Sequence, residues 1–318
     1  MKVKFWGTRG SIPVSLTAPD VRAKLLVALQ GARGRTFDAP GEMEAYVDSL
    51  GFDVAGTFGG HSSCVQIETG GAEHFILDLG TGVRPLGQSM MERFGPGLPQ
   101  TYHVFMSHLH WDHIMGLPFF TPVYIPGNKI VIHSCHPHVE FALRRQQAEP
   151  SFPVRFDYFS ADISFDVMTP GQTVDIAGTQ VTAHAQRHAG DSYGWRFDRD
   201  GQRVVYTTDS EHRVEDEAER AAFIAFFDRA DVVVFDAMYS LADCISVKAD
   251  WGHSSNIVGV ELCQAAHARK LVLFHHEPAY TDAQIARVLR ETQRFEQITR
   301  EGHALEVVSA WDGLELTL

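Results

Sequence analysis

Apolar and polar positions alternate over Lys2–Trp6, the period-two pattern of a half-buried strand. The Gly-Thr-Arg-Gly-Ser-Ile-Pro run at Gly7–Pro13 breaks it. Helical patterning follows at Asp20–Gln30, which opens on an N-cap residue and carries the apolar run Leu25–Leu29, and at Glu42–Leu50, which stops before Gly51. The two read as a helical insertion between strands, over residues 18–56. Strand patterns resume at Ser63–Glu68 and His74–Leu79, then a turn at Asp78–Gly82 and a helix at Val83–Phe94. Further strands are predicted at Tyr102–Met106, Lys129–His133, Ile163–Val167, Gln180–Ala185, Tyr193–Phe197, Arg203–Tyr206, Asp231–Phe235, Lys270–Phe274, Leu305–Ser309 and Leu314–Leu318. Helices are predicted at His136–Glu149, Asp216–Asp228, Ser254–Ala268 and Asp282–Glu296. Strands first, then strands mixed with helices, predict sheets covered by helices, an α/β class. With no Ser/Gly-rich linker, charge block or short repeat, residues 1–318 read as one domain carrying the insertion.

Composition narrows the function classes. The 318 residues are 44% hydrophobic and 21% charged, enough to bury a sizeable core. The formal net charge of -13 leaves no domain-wide basic footprint for nucleic acid. An anionic substrate remains compatible, because a bound metal dominates its local field. Cys64, Cys135, Cys244 and Cys263 contain no Cys-x-x-Cys pair, so they read as buried thiols in a reducing compartment. No apolar run approaches membrane-spanning length, and the first residues lack a long apolar segment. The cytoplasm is the expected location, with no membrane partner.

The chemistry is concentrated where a buried strand runs into Ser107-His108-Leu109-His110-Trp111-Asp112-His113. His108 and His110, two apart, share one side of an extended segment. Asp112 and His113, being adjacent, are expected to point apart, which suits two neighbouring ions. Imidazole with carboxylate suits zinc, manganese or iron.

This motif resembles the metallo-β-lactamase superfamily, and the resemblance continues in order along the chain. His188 in Arg187-His188-Ala189-Gly190, Asp209 in Val205-Tyr206-Thr207-Thr208-Asp209 and His275 in Leu271-Val272-Leu273-Phe274-His275 look like its later motifs. The resemblance implies an αββα four-layer sandwich holding two divalent ions, Zn2+ first and Mn2+ or Fe2+ as alternatives. It implies His108, His110 and His188 on one ion, Asp112, His113 and His275 on the other, and Asp209 between them. His276 rivals His275, which aligns better with the strand. His133, His136, His138 and His267 read as structural or solvated, and His212 as solvated.

Two ions carry four positive charges. Asp112, Asp209 and a bridging hydroxide would remove three, leaving about one for an anionic substrate. Metal-lowered water pKa supplies hydroxide near neutral pH. His253, in Trp251-Gly252-His253-Ser254-Ser255, resembles the leaving-group acid of the ribonuclease Z and cyclic-phosphodiesterase branch, with Asp236 as its acidic partner. Trp111–Phe120 and Phe274-His275-His276-Glu277-Pro278 look like phosphoribosyl cyclic phosphodiesterases. Arg9 and His61, in Gly/Ser-rich turns that recur in that branch, are candidate substrate contacts. The expected activity is hydrolysis of a small cyclic nucleotide or related phosphodiester. The alternatives are a ribonuclease Z-like RNA endonuclease, a lactone or thioester hydrolase and, from a different class, a di-iron redox or oxygen-sensing protein. His110 weighs against the last, because that group replaces it with an acid. The acidic charge and the lack of a long arm for transfer RNA weigh against nucleic acid. The branch is often dimeric, which makes a homodimer an expected assembly.

Overall fold

The structure, a computed structural model, describes residues 1–212, 216–238 and 253–318; Cys244, Trp251 and Gly252 lie outside the described residues. The first seven-stranded sheet contains β1 (Lys2–Gly7), β2 (Cys64–Glu68), β3 (His74–Leu77), β4 (Thr101–Phe105), β5 (Lys129–Ser134), β6 (Asp162–Val167) and β14 (Glu315–Thr317). Its order is β14-β1-β2-β3-β4-β5-β6. The second contains β7 (Thr173–Ile176), β8 (Thr179–Gln186), β9 (Ser192–Arg199), β10 (Gln202–Thr207), β11 (Val232–Asp236), β12 (Lys270–Phe274) and β13 (Glu306–Ser309), in the order β13-β12-β11-β10-β9-β8-β7. Each sheet has an antiparallel part and a parallel part. The parallel strands β3 to β6 and β10 to β13 are the ones that deliver the site.

Period-two alternation sends one set of side chains between the sheets and the other set outward. Phe5, Phe75 and Phe105 meet Phe274, Phe197 and Trp195 in the middle layer, with ring centroids 6.1, 6.1 and 5.4 Å apart. Ile76, Val104 and Ile130 face outward beneath α4 (Val83–Phe94) and α6 (Val139–Gln146). Val205, Val233, Phe235 and Leu271 do the same beneath α7 (Glu217–Phe227) and α8 (Asn256–Ala265). Helix α9 (Asp282–Thr299) runs alongside β13. The result is helix, sheet, sheet, helix. Each fully buried Leu, Val or Phe adds roughly 1.5–3 kcal/mol.

Between β1 and β2 the chain forms α1 (Ala18–Gly31), α2 (Glu42–Asp48) and α3 (Phe52–Ala55). Helix α1 starts two residues earlier than its sequence pattern suggested. Thr17 caps it, and Asp20 is the third residue of a reciprocal capping box. None of its residues is buried. It is fastened through Lys24, whose ammonium donates to the Gly56 carbonyl at 2.8 Å and to Asp282 at 2.6 Å. Strand β7, which the pattern did not single out, pairs as a short hairpin arm with β8. Cys64, Cys135 and Cys263 are buried free thiols. Among the described residues, no helix is long and apolar enough to cross a membrane.

Candidate metal centre

The parallel strands of both sheets release their chemistry-bearing residues at their carboxyl ends. There the backbone leaves the ladder and a crevice forms. Asp78 follows β3, Ser107 and His108 follow β4, Asp209 follows β10, Asp236 closes β11 and His275 follows β12. Three of these residues turn out of their strands in the left-handed region: Asp78 at φ 59°, Asp209 at 51° and His275 at 59°. That conformation is uncommon for residues other than glycine and concentrates at functional sites.

The motif after β4 is extended only as far as His110. A single helical turn, α5 (Trp111–Ile114), then begins. This turn changes one expectation. Asp112 and His113 do not point apart: Asp112 Oδ2 lies 3.1 Å from His113 Nε2, both at the centre of the cluster. His275 Nε2 arrives from the other sheet, 3.2 Å from Asp112 Oδ2 and 3.4 Å from His113 Nε2. Its companion His276 faces away and binds the Ala310 carbonyl at 2.8 Å. Gly10 stands against the His275 ring, where a β-carbon would meet it at 2.6 Å.

Asp209 divides its two oxygens between two sets of imidazoles. Oδ2 lies 3.2 Å from His113 Nε2 and 3.3 Å from His275 Nε2. Oδ1 lies 3.7 Å from both His108 Nε2 and His188 Nε2. His110 Nδ1 completes the second set, 3.3 Å from His188 Nε2. His108, His110 and His188 form one compact donor group, and Asp112, His113 and His275 another.

The donors fit divalent cations. Buried His108 Nε2 has no hydrogen-bond partner, a costly state for an imidazole nitrogen unless a cation takes its lone pair. Burial, reinforced by the His113, His110 and His188 rings, holds His108 well below the usual imidazole range, so it is neutral and able to ligate. Burial alone would raise the Asp209 pKa. The His275 and His113 rings outweigh it and keep the carboxyl well below its usual range.

Asp78 organises this cluster, although the sequence pattern marked it only as part of a turn. Wholly buried, it accepts from the Ser107 N–H at 2.7 Å, the Ser107 hydroxyl at 2.7 Å, His113 Nδ1 at 2.8 Å and the Tyr206 hydroxyl at 2.8 Å. By holding the proton on His113 Nδ1 it leaves Nε2 free as a donor, which is how a carboxylate orients a ligating histidine. A carboxylate directly after an apolar strand was the signal available. The Ser11 N–H steadies the cluster as well, donating to Asp112 Oδ2 at 2.8 Å.

His253 lies at the edge of the cluster. Its Nδ1 is 2.8 Å from Asp236 and 3.9 Å from Asp209 Oδ1, and its ring stacks 5.2 Å from His275. Burial opposes a charge on His253, but Asp236 outweighs it and raises the pKa to about 9. Asp236 itself is fully buried and accepts from the N–H groups of Met238 at 3.1 Å and Ser210 at 3.3 Å.

Arg9 departs from the expected substrate contact. Its guanidinium is 3% exposed. It donates to the carbonyls of Gly59 at 2.9 Å, Tyr280 at 2.9 Å and Glu277 at 3.3 Å, and pairs with Asp282 at 3.8 Å. A buried guanidinium needs such partners, so Arg9 ties the N-terminal loop to the start of α9. His61 lies in the neighbouring loop, its carbonyl accepting from the Arg9 N–H at 2.9 Å and its Nδ1 3.2 Å from the Thr81 hydroxyl. His212 is not solvated: its ring packs against Phe223 and Phe235.

With this geometry in place, the comparisons with known proteins agree. A family model described as the Beta-lactamase superfamily domain matches residues 75–276, and the chain belongs to that superfamily. It is a metal-dependent hydrolase with the metallo-β-lactamase fold. It is 24% identical over 271 residues to ribonuclease Z of Natronomonas pharaonis, covering 65% of this chain and 79% of the relative. Its fold is similar to that of the metallo-beta-lactamase fold protein YhfI from Bacillus subtilis, at 15% identity and a TM-score of 0.65, covering 99% of this chain and 98% of that one. It is also similar to a diphosphatase from the PhnP family, at 17% identity and a TM-score of 0.58, covering 100% and 97% of the two chains.

Proposed function

We propose that the chain is a dinuclear phosphodiesterase acting on a small cyclic nucleotide or related diester. His108, His110 and His188 would hold one ion, Asp112, His113 and His275 the other, and Asp209 would bridge them. The mixed nitrogen and oxygen donors favour Zn2+, with Mn2+ or Fe2+ also suited. Such ions, when bound, supply a hydroxide nucleophile near neutral pH and stabilise charge on phosphoryl oxygens.

The observation that carries the diester reading is the His253–Asp236 pair, 2.8 Å apart at the cluster's edge. An alkoxide leaving group needs a proton, and a His held by a buried carboxylate is placed to give one. Thioester chemistry needs no such acid, because a thiolate leaves unaided. The net charge of -13 and the absence of a domain-wide basic footprint support a small substrate over RNA. The resemblance to ribonuclease Z keeps RNA processing as the second reading.

The test is elemental analysis of the purified chain together with a substrate panel. The panel comprises 2′,3′- and 3′,5′-cyclic nucleotides, an aryl phosphodiester, a lactone and a precursor RNA. Two metals per chain and turnover of a cyclic diester are expected. Cleavage of the RNA alone would replace this reading with the RNA-processing one, and turnover of the lactone alone would overturn both.

A further inference from the structure

Between α5 and α6 lies a groove of about 500 Å³, within the size range of small-molecule sites. One wall is Leu109 and Trp111, which alternate along the chain with His108, His110 and Asp112. The opposite wall is Phe141, Arg145, Gln146 and Phe152. Two features set the groove apart from an ordinary crevice. Trp111 is 76% and Phe141 64% exposed, leaving two large rings in water in one groove, the first of them next in sequence to two metal donors. Arg145 has no ion-pair partner among the described residues, whereas neighbouring Arg144 is paired with Glu140 and Asp157.

The walls are fixed. Gln146 Nε2 donates to the Ile114 carbonyl at 2.9 Å, joining α6 to α5. Phe152 packs edge-on against Phe119, ring centroids 5.9 Å apart. An exposed indole and an exposed phenyl offer flat apolar faces, and Arg145 offers hydrogen-bond donors in a plane. A nucleobase needs both: stacking surfaces for its faces, and donors for the ring nitrogens and carbonyl oxygens on its edge.

We propose that this groove is the nucleobase subsite of the enzyme, with Trp111 and Phe141 stacking the base and Arg145 donating to its edge. The proposal rests on the phosphodiesterase reading. Trp111 stands between the proposed ligands His110 and Asp112 in the chain, consecutive Cα atoms being about 3.8 Å apart, so its exposed indole is rooted in the metal-binding motif. A phosphate at the metal donors would leave the base beside the indole. Trp111 thereby becomes a specificity determinant inside the metal-binding motif itself.

The test compares two substrates sharing one reacting group. Adenosine 2′,3′-cyclic phosphate carries a base, and 1-O-methylribose 2,3-cyclic phosphate does not. Phe141→Ala, on α6 and touching no metal donor, is expected to raise KM for the nucleotide about tenfold relative to the base-free diester, with kcat for the nucleotide within twofold, as loss of one stacking partner implies. Trp111→Ala should do at least as much and Trp111→Phe should restore most of it. Arg145→Ala should act in the same direction. Equal changes on both substrates, or none, would overturn the subsite. Binding of adenosine monophosphate, followed by calorimetry, separates the two ideas. If the wild type hydrolyses neither diester yet binds the nucleotide, and Phe141→Ala weakens that binding, the subsite stands and the phosphodiesterase reading falls. If both diesters are hydrolysed and the variants keep wild-type KM values and nucleotide binding, the subsite alone falls.

Discussion

Two groups of buried imidazoles, one within the first sheet and one between the two sheets, are closed in opposite ways. Across β4 and β5 runs the chain Glu73, His103, His133, Asp166, with successive contacts of 2.6, 2.9 and 2.9 Å. Each ring nitrogen there faces a partner within hydrogen-bond range. Beyond the carboxyl end of β4, His108 Nε2 has no partner, and His113 Nε2 faces the Nε2 of His275, from the second sheet, at 3.4 Å among two carboxylates. Hydrogen bonds complete the first group, and the second has its nitrogen and carboxylate oxygen atoms gathered as cation donors. Histidine density does not separate them. The convergence of several donor atoms on one point, with His108 Nε2 among them unpartnered, does.

The sharpest way to break this contrast is Asp209→Ala. The Asp209 carboxylate faces both donor sets, so the variant should retain fewer than two metals by elemental analysis and lose nearly all diesterase activity. Two metals retained would undo the bridging assignment. His253→Ala comes next. It should keep both metals yet lose about 10²–10⁴-fold in kcat, the range of general acid catalysis. Full activity would remove His253 from the proton-transfer step. Third is Asp78→Asn, which keeps the shape and removes the charge that holds His113. Metal affinity, measured by competition with a chelator, should fall about 10–100-fold, as expected for a carboxylate behind a ligating histidine. Wild-type affinity would reduce Asp78 to a structural role.

How much of this was legible without coordinates depended on whether the signal was local. His108–His113 sits in one six-residue stretch, and the helix at Val83–Phe94 has the same limits in pattern and structure. His188, Asp209 and His275 are scattered, but each follows or precedes an apolar strand, and their order along the chain is informative. The direction of Asp112 and His113 was not legible, because one helical turn, α5, reverses what an extended chain implies. Asp78 was missed because a turn rich in Gly and Thr explains an Asp equally well. The anchoring of Arg9 is not legible in the sequence because its partners are mostly carbonyls, which side-chain identity does not reveal. The solvent-facing apolar residues of α1, such as Leu25 at 58% and Leu29 at 67% exposure, also run against pattern reading, which would have buried them.

The mildest effect concerns histidines that take no part in metal binding. His133 is held down to about 4, mainly by burial, which outweighs the pull of Asp166 towards a raised value. His212, stacked on Phe235 and edge-on to Phe223, is likewise held at about 4 by burial, with nearby Asp236 opposing and His184 assisting. The unfolded chain binds a proton at each near pH 6.5. Below that value the unfolded state carries more protons, so stability is intact above about pH 6.5 and is lost as the pH falls towards 4. A difference of this size is worth roughly 3 kcal/mol per histidine at the acid limit. His212→Phe isolates one of them. The Nε2 of His212 is buried without a partner, so a phenyl ring should replace it with little loss at pH 7. Urea unfolding at pH 7 and pH 5, on the chelator-treated protein so that metal release does not contribute, should show a smaller acid loss in the variant than in the wild type. The difference should approach one proton's linkage, about 1.4 kcal/mol per pH unit. Parallel losses in both proteins would mean that His212 carries no proton in the unfolding transition, and the acid sensitivity would then have to be sought in His133.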